Sequence, residues 1–245
     1  MSFWWLILFC SGAYIVGNVN FAILISKYRF RADIRKNTSG TPGAANILRA
    51  HGVRWGMICL LCDAAKGSVA ALVGFLSYGF SSGWGTDTSF LIWSQAPDAA
   101  YIALFACGLS AAVGHCYPVF YKFRGGKGVS TALGVFFVAN PPLAIAAFAV
   151  ALVFGQCVMY SSVGSFTLIT TLALVQGFAA QAVSSTVAIF TVAALIAAIY
   201  FFILFVHRAN VARLLFGKEN RTTLLAKIVK KRNRKKQHMW LDELI

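Results

Sequence analysis

The chain has 245 residues, 59% of them hydrophobic and only 12% charged, with a mean hydropathy of +0.72. A soluble domain carries about 25% charged residues, so the composition excludes an ordinary soluble globular protein and predicts an integral membrane protein. The net charge of +15 raises nucleic acid as a partner. But the cations fall in three segments beside apolar runs, a pattern that belongs to membrane orientation, and no nucleic-acid partner is expected.

Residues 3 to 26 form the first apolar run, long enough to cross ~30 Å of hydrocarbon as one helix. It lacks a basic n-region and is read as a retained span. Gly17, Asn18 and Asn20 within it suit helix packing through small and amide residues. Residues 27 to 54 carry seven cations against the single acid Asp33. Their centre, Ser39 to Arg49, reads SGTPGAANILR. It is a turn-rich cluster followed by a short helix that places Asn46 and Arg49 on one face. A serine hydroxyl, an amide and a guanidinium fork suit phosphate oxygens; a plain positive-inside loop explains the same residues.

Residues 55 to 79 form a second span with Asp63 and Lys66 inside it at i, i+3. Intramembrane ions are costly and usually paired, so these two pair with each other or with a neighbour, as glue or as machinery. Residues 80 to 98 hold no Lys or Arg and read as an outside loop, and 99 to 121 as a third span. Of the six cysteines, Cys59 and Cys62 have metal-ligand spacing but no second ligand pair, and read as small buried apolar residues rather than metal ligands or a disulfide.

Gly114 to Thr131, GHCYPVFYKFRGGKGVST, interrupts the apolar sequence with one His, one Pro, three cations and a glycine-rich loop. Gly125, Gly126 and Gly128 permit close backbone approach, and their amides are expected to form an anion nest around Lys127. The alternative is a flexible basic membrane loop. It is not a Walker A loop, since Tyr121 and Gly128 stand where Gly and Ser or Thr are required. His115, among aromatics, reads first as a structural histidine.

Residues 128 to 206 contain no charged residue. Breaks at Asn140-Pro141-Pro142, near Ser161-Ser162 and near Gly177 to Ser185 divide them into four crossings. The expected fold is therefore all-α, with about seven transmembrane helices, the N-terminus outside and the C-terminus cytoplasmic. Residues 207 to 245 carry eleven Lys or Arg. His207, Asn210 and Arg213 recur every third residue on one helical face. The run from Lys227 to Lys236 suits anionic lipid. Residues 1–226 are read as the membrane domain and 227–245 as a basic cytoplasmic tail.

Three polar clusters thus share one membrane face: SGTPGAANILR, GHCYPVFYKFRGGKGVST and HRANVARLLFGKEN. Together, from Gly17 to Glu219, they resemble the bacterial acyl-phosphate:glycerol-3-phosphate acyltransferase family, PlsY. Gly114, His115, Pro118, Phe120 and Gly125 to Gly128 carry the most specific match; Ser39, Asn46, Arg49, His207, Asn210, Arg213 and Glu219 fit the flanking motifs. Asp63, Lys66 and Gly67 fit the second helix. Departures include Gly17-Asn18-Val19-Asn20 in the first helix, Thr38, Thr41, Ala45, Lys218 and Ser130.

The resemblance implies a seven-helix membrane enzyme of the bacterial plasma membrane, with its active-site loops on the cytoplasmic face. It implies transfer of an acyl group from acyl phosphate to the 1-hydroxyl of glycerol-3-phosphate, with no cofactor or metal. Lys127 and the Gly125–Gly128 backbone are assigned to phosphate binding and charge stabilisation. Ser39, Arg49 and His207 are assigned to substrate positioning, and Asn46 and Asn210 to orienting their neighbours. The H-x-x-x-x-D signature of soluble-type acyltransferases is absent, with Gly56, Phe120, Ala212 and Glu243 at the fifth positions after the histidines. The rival classes are a transporter or flippase for a phosphorylated metabolite, against which stands the lack of an apparent inverted repeat, and a membrane anchor.

Overall fold

A computed structural model describes residues 3–36, 40–79, 97–179 and 185–219. Among these, all regular structure is helical. Helices α1 (Phe3–Gly17) and α2 (Phe21–Phe30) are followed by the short α3 (Ala44–His51) and the long α4 (Val53–Gly79). Then come α5 (Asp98–Cys116), α6 (Val129–Ala139), α7 (Pro141–Val158), α8 (Ser161–Ala179), α9 (Thr186–Val206) and α10 (Arg208–Leu215). The expected outside loop at 80–96 and the tail at 227–245 lie outside the described residues.

Among the described residues, five segments are long and apolar enough to cross a membrane: Trp4–Phe30, Val53–Tyr78, Asp98–Tyr121, Pro141–Val158 and Thr186–Val206. Helix α6 is apolar but only 11 residues long.

The breaks have local causes. Asn140 caps α7, its side chain accepting from the Leu143 amide at 3.1 Å, and Pro141 and Pro142 fill the first turn, where a missing N–H costs nothing. Ser185 caps α9 by accepting from Ala188 at 3.2 Å. The first apolar run differs from its expected form. It is two helices, because Asn20 caps α2 by accepting from Ile23 N at 3.0 Å, and the chain leaves the helix at Asn18 to Asn20. Both asparagines are fully buried.

Helices α4 and α5 form the centre, with α1 and α6 packed on them. Hydrocarbon gives helices no hydrophobic reason to associate, so close packing of small residues carries more of the burden. A Cβ on Gly67 would lie 2.1 Å from the Thr131 carbonyl oxygen, and one on Gly134 1.9 Å from that of Ala64. This close α4–α6 contact, and the matching one of Gly17 on Ala111 between α1 and α5, bring one end of each helix to the same place. The loop after α5, the helix α3 and the start of α10 meet there.

Candidate active site

A cavity of about 410 Å³ opens where these segments converge. Its mouth is polar, with Asn46, Arg49, Lys127, Ser161, His207 and Asn210; its wall is apolar, with Met57, Leu60, Leu133, Phe148, Leu152 and Leu168. A cavity built this way suits a molecule with a charged head and a hydrocarbon chain.

Lys127 stands immediately before α6. Its ammonium donates to Asn210 Oδ1 at 2.6 Å, and Asn210 Nδ2 donates to Glu219 Oε1 at 3.0 Å. The other Glu219 oxygen accepts from Arg213 Nε at 2.7 Å. Burial lowers the Lys127 pKa to about 8, assisted by the positive charges of Arg213 and Arg49 and opposed by Glu219. Burial pushes the Glu219 carboxyl upward, but the hydrogen bonds from Arg213 and Asn210 outweigh it, and the net shift is downward. Lys127 is thus a partly desolvated cation held in place by an oriented amide.

Arg49 projects from α3. One terminal nitrogen donates to Ser161 Oγ at 2.9 Å, while its buried Nε has no hydrogen-bond partner among the described residues. Burial lowers its pKa, opposed by Glu219. A desolvated guanidinium with an unpaired Nε, lining the same cavity as a second cation, suits an anion. Asn46, one turn earlier, donates to the Ile34 carbonyl at 3.2 Å, which fastens α3 to the preceding segment.

His207 sits between α9 and α10 and is 2% exposed. Its Nδ1 lies 2.9 Å from the Ile203 carbonyl oxygen. A carbonyl only accepts, so the ring proton is on Nδ1 and the Nε2 lone pair is free in the neutral ring. Burial lowers its pKa to about 4; the Ile203 bond opposes this, and the charge of Lys127 reinforces it. The ring packs edge-on against Phe166, with centroids 5.3 Å apart.

The glycine loop departs from expectation in one respect. The Gly125 amide donates to the Cys116 carbonyl at 3.1 Å and the Gly126 amide to that of His115 at 3.0 Å. Those two N–H groups are spent on the end of α5 and form no anion nest. The glycines are required by closeness instead: a Cβ on Gly125 would lie 2.1 Å from His115 O, and one on Gly126 2.0 Å from His115 Nε2. Gly128 adopts φ +80°, and the first intrahelical bond of α6 runs from Ala132 N to Gly128 O. The amides of the first turn ahead of Ala132, at the mouth beside Lys127, are the ones a helix leaves for an anion.

The family model for glycerol-3-phosphate acyltransferase matches residues 7–217. The chain belongs to the glycerol-3-phosphate acyltransferase family. It is 36% identical over 210 residues to the glycerol-3-phosphate acyltransferase of Paraburkholderia phymatum, covering 85% of this chain and 89% of that one. It is 34% identical over 209 residues to the Aquifex aeolicus protein of that name, covering 85% and 95%. Among solved structures it superposes on PlsY, an integral membrane glycerol 3-phosphate acyltransferase, in its glycerol 3-phosphate form. The TM-score is 0.73 at 32% identity, covering 91% of this chain and 98% of that one. The lysophosphatidic acid form of PlsY gives 0.70 at 32% identity.

Within this acyltransferase, Lys127, Arg49, Asn46, His207, Asn210 and Gly128 line the same cavity, with Glu219 and Arg213 behind Asn210. Ser39 lies outside the described residues. Sequence reading missed Ser161, which it treated only as a break between spans; the signal was a serine pair opening a helix within an uncharged apolar run. It also left His115 without a partner, and the structure supplies one in Lys66 at 2.8 Å.

Proposed function

We propose that the protein transfers a fatty acyl group from acyl phosphate to the 1-hydroxyl of glycerol 3-phosphate, releasing 1-acylglycerol 3-phosphate and inorganic phosphate. The observation that carries this reading is the two-part cavity, with Lys127 and Arg49 at a polar mouth and an apolar wall behind them. Both substrates bring a phosphate and one brings a hydrocarbon chain. The PlsY structures were solved with the acceptor and the product of such a transfer.

In the reaction the 1-hydroxyl oxygen attacks the acyl carbonyl carbon. The bond from that carbon to the phosphate oxygen breaks, and phosphate leaves with the electron pair. Lys127 and Arg49 offset the charge that develops on the leaving group. The free Nε2 of His207 accepts a hydrogen bond from the hydroxyl and orients it. Two groups compete for the proton, His207 and a phosphate oxygen. Burial lowers the His207 pKa to about 4 in the free protein, which disfavours the imidazolium, so we assign the proton to a phosphate oxygen.

The placement follows from charge. Every Lys and Arg except Lys66 lies in residues 27–54, 122–127 or 207–245, so we place these on the cytoplasmic face with seven crossings and the N-terminus outside. Ser39 we assign to the same phosphate mouth, and the 227–245 tail to anionic lipid.

The test is purified protein in detergent with labelled glycerol 3-phosphate and, in separate arms, acyl phosphate, acyl-coenzyme A and acyl carrier protein. Product from acyl phosphate alone is expected. Product from either thioester at an equal rate overturns the donor assignment, and label that only crosses sealed vesicles overturns the enzyme.

A further inference from the structure

One buried polar group is unused by the acyl-transfer reading. Asp63, Lys66 and His115 are 1%, 5% and 3% exposed, on α4 and α5 just below the mouth. The Lys66 ammonium lies 3.1 Å from Asp63 Oδ1 and 2.8 Å from His115 Nδ1. It also donates to the Gly17 carbonyl at 3.0 Å and to that of Val19. These two carbonyls are released where α1 breaks before α2. An ammonium only donates, so Nδ1 of His115 accepts and the ring proton sits on Nε2.

That second nitrogen lies directly under Gly126, within 2.0 Å of where a Cβ would stand. The His115 carbonyl takes the Gly126 amide at 3.0 Å. The same absent Cβ would lie 2.8 Å from the Pro42 carbonyl oxygen, and Asn20 at the α1–α2 break donates to that oxygen at 3.3 Å. Gly126 is therefore clasped between His115 and Pro42, each tied to the break that Lys66 closes.

A buried ion pair is weak evidence for stability, since apolar residues of similar volume would pack α4 on α5 at less cost. What apolar residues lack is directional contact. The three hydrogens of Lys66 go to His115 Nδ1 and to the Gly17 and Val19 carbonyls, while Asp63 pairs with it by charge; the His115 contact leads to the residue before Lys127.

We propose that Asp63, Lys66 and His115 form a buried positioning unit for acyl transfer. It fixes the Gly125–Gly128 loop against Pro42, so that Lys127 and the first loop keep one spacing across the phosphate mouth. Asp63 and His115 contribute to the cavity floor but act through Gly126. Lys66 orients His115, and Asp63 pairs with Lys66 and holds it in place. The proposal rests on the functional reading above.

The experiment uses three full-length variants in detergent: His115→Gln, Lys66→Met, and the double variant Asp63→Asn with Lys66→Gln. Thermal unfolding reports whether each is folded. The double variant removes both charges together, so it keeps the test alive if Lys66→Met leaves Asp63 unpaired and unfolds. Misplacement of a reacting group by about 1 Å costs on the order of a hundredfold in rate. Folded His115→Gln and double variants are therefore expected to lose kcat for glycerol 3-phosphate by roughly ten- to a hundredfold, and the alkaline limb of their kcat/KM profile, set by Lys127, is expected to move. A purely structural role would lower the unfolding temperature and leave both unchanged. Folded variants with wild-type kcat and an unmoved limb overturn the proposal. Inorganic phosphate binding by calorimetry gives a readout without turnover. Inactive wild-type protein whose phosphate affinity still falls in the variants overturns the acyl-transfer reading alone; unchanged affinity overturns the positioning unit.

Discussion

The Lys127 ammonium donates to Asn210 Oδ1 at 2.6 Å, across 83 residues of sequence. The link orients both partners: Asn210 gives its Nδ2 to Glu219, so its oxygen is the atom left for Lys127. A lysine in water would have all three hydrogens solvated. Here one is committed to an amide, and the charge is held at the mouth ahead of α6.

Lys127 titrates near 8 because burial disfavours its charge. A lowered lysine pKa means that the cation is present at pH 7 and lost as pH rises through about 8. The kcat/KM profile, which reports free enzyme, is expected to fall above that pH. A bound phosphate favours the charged form, so the limb in kcat is expected at higher pH than the limb in kcat/KM. Lys127→Ala removes a preorganised charge at a developing anion, a loss of about 3 kcal/mol or on the order of a hundredfold in kcat. Rates measured from pH 6 to 10 check both; coincident limbs would show that Lys127 does not meet phosphate.

For Arg49 the expected effect is on binding. Its Nε has no partner among the described residues and one terminal nitrogen is held by Ser161, so we take the guanidinium to be aimed by the protein and completed by the ligand. A lysine offers a point charge instead of a fork. Hydrogen bonds to charged groups contribute roughly 1.5–3 kcal/mol, so Arg49→Lys is expected to raise KM for one phosphate substrate on the order of tenfold. Initial rates with each substrate varied in turn are the measurement. Unaltered KM for both would remove Arg49 from the site.

His207 is expected to be important without being the base. Burial depresses its pKa to about 4, so the kcat/KM profile, which reports free enzyme, is expected to show no His207 limb between pH 5 and 7. His207→Gln keeps an acceptor and is expected to retain more activity than His207→Ala. An acidic limb near pH 6 that disappears in both variants would make the histidine the proton acceptor.

Much of this was legible in the chain. An uncharged stretch from 128 to 206 with Asn-Pro-Pro and Ser-Ser interruptions gave the helix order α6 to α9, because caps and prolines act locally. Asn46 and Arg49, three apart, share the cavity as helical spacing requires. What was not legible depends on long-range contact. Nothing near Asn18 announces that Lys66 will gather the carbonyls it frees, 47 and 49 residues away. Nor does a glycine reveal from sequence whether its amide will face a ligand or, as at Gly125 and Gly126, the carbonyls ending the previous helix.

Topology is testable at the same loop. Phe120 and Phe123 are 65% and 58% exposed beyond α5. Single cysteines at these positions, in a background with the native cysteines replaced, are expected to react with a membrane-impermeant maleimide only in inside-out vesicles. Labelling from intact cells would reverse the orientation and remove the cytoplasmic placement of the site.

The sharpest structural prediction concerns Gly126. An alanine there puts a methyl 2.0 Å from His115 Nε2 and 2.8 Å from the Pro42 carbonyl. Neither neighbour gives way easily. His115 is held at Nδ1 by Lys66 and by its own carbonyl at Gly126 N, and Pro42 O is backbone. The loop must therefore lift, and Lys127, the next residue, must move with it. Gly126→Ala is expected to lower kcat on the order of a hundredfold, as misplacement of a catalytic group by about 1 Å does, in protein that still inserts. Gly12→Ala is the control, because a Cβ there meets nothing within 4 Å; its activity is expected to match wild type. His115→Ala combined with Gly126→Ala removes the ring that the methyl strikes while leaving Pro42 O in place, so it separates the two contacts. The reference for the double variant is His115→Ala alone: a double variant no slower than that single variant assigns the clash to His115, a further loss assigns it to Pro42, and a Gly126→Ala single variant with wild-type kcat would mean that Lys127 does not depend on this packing at all.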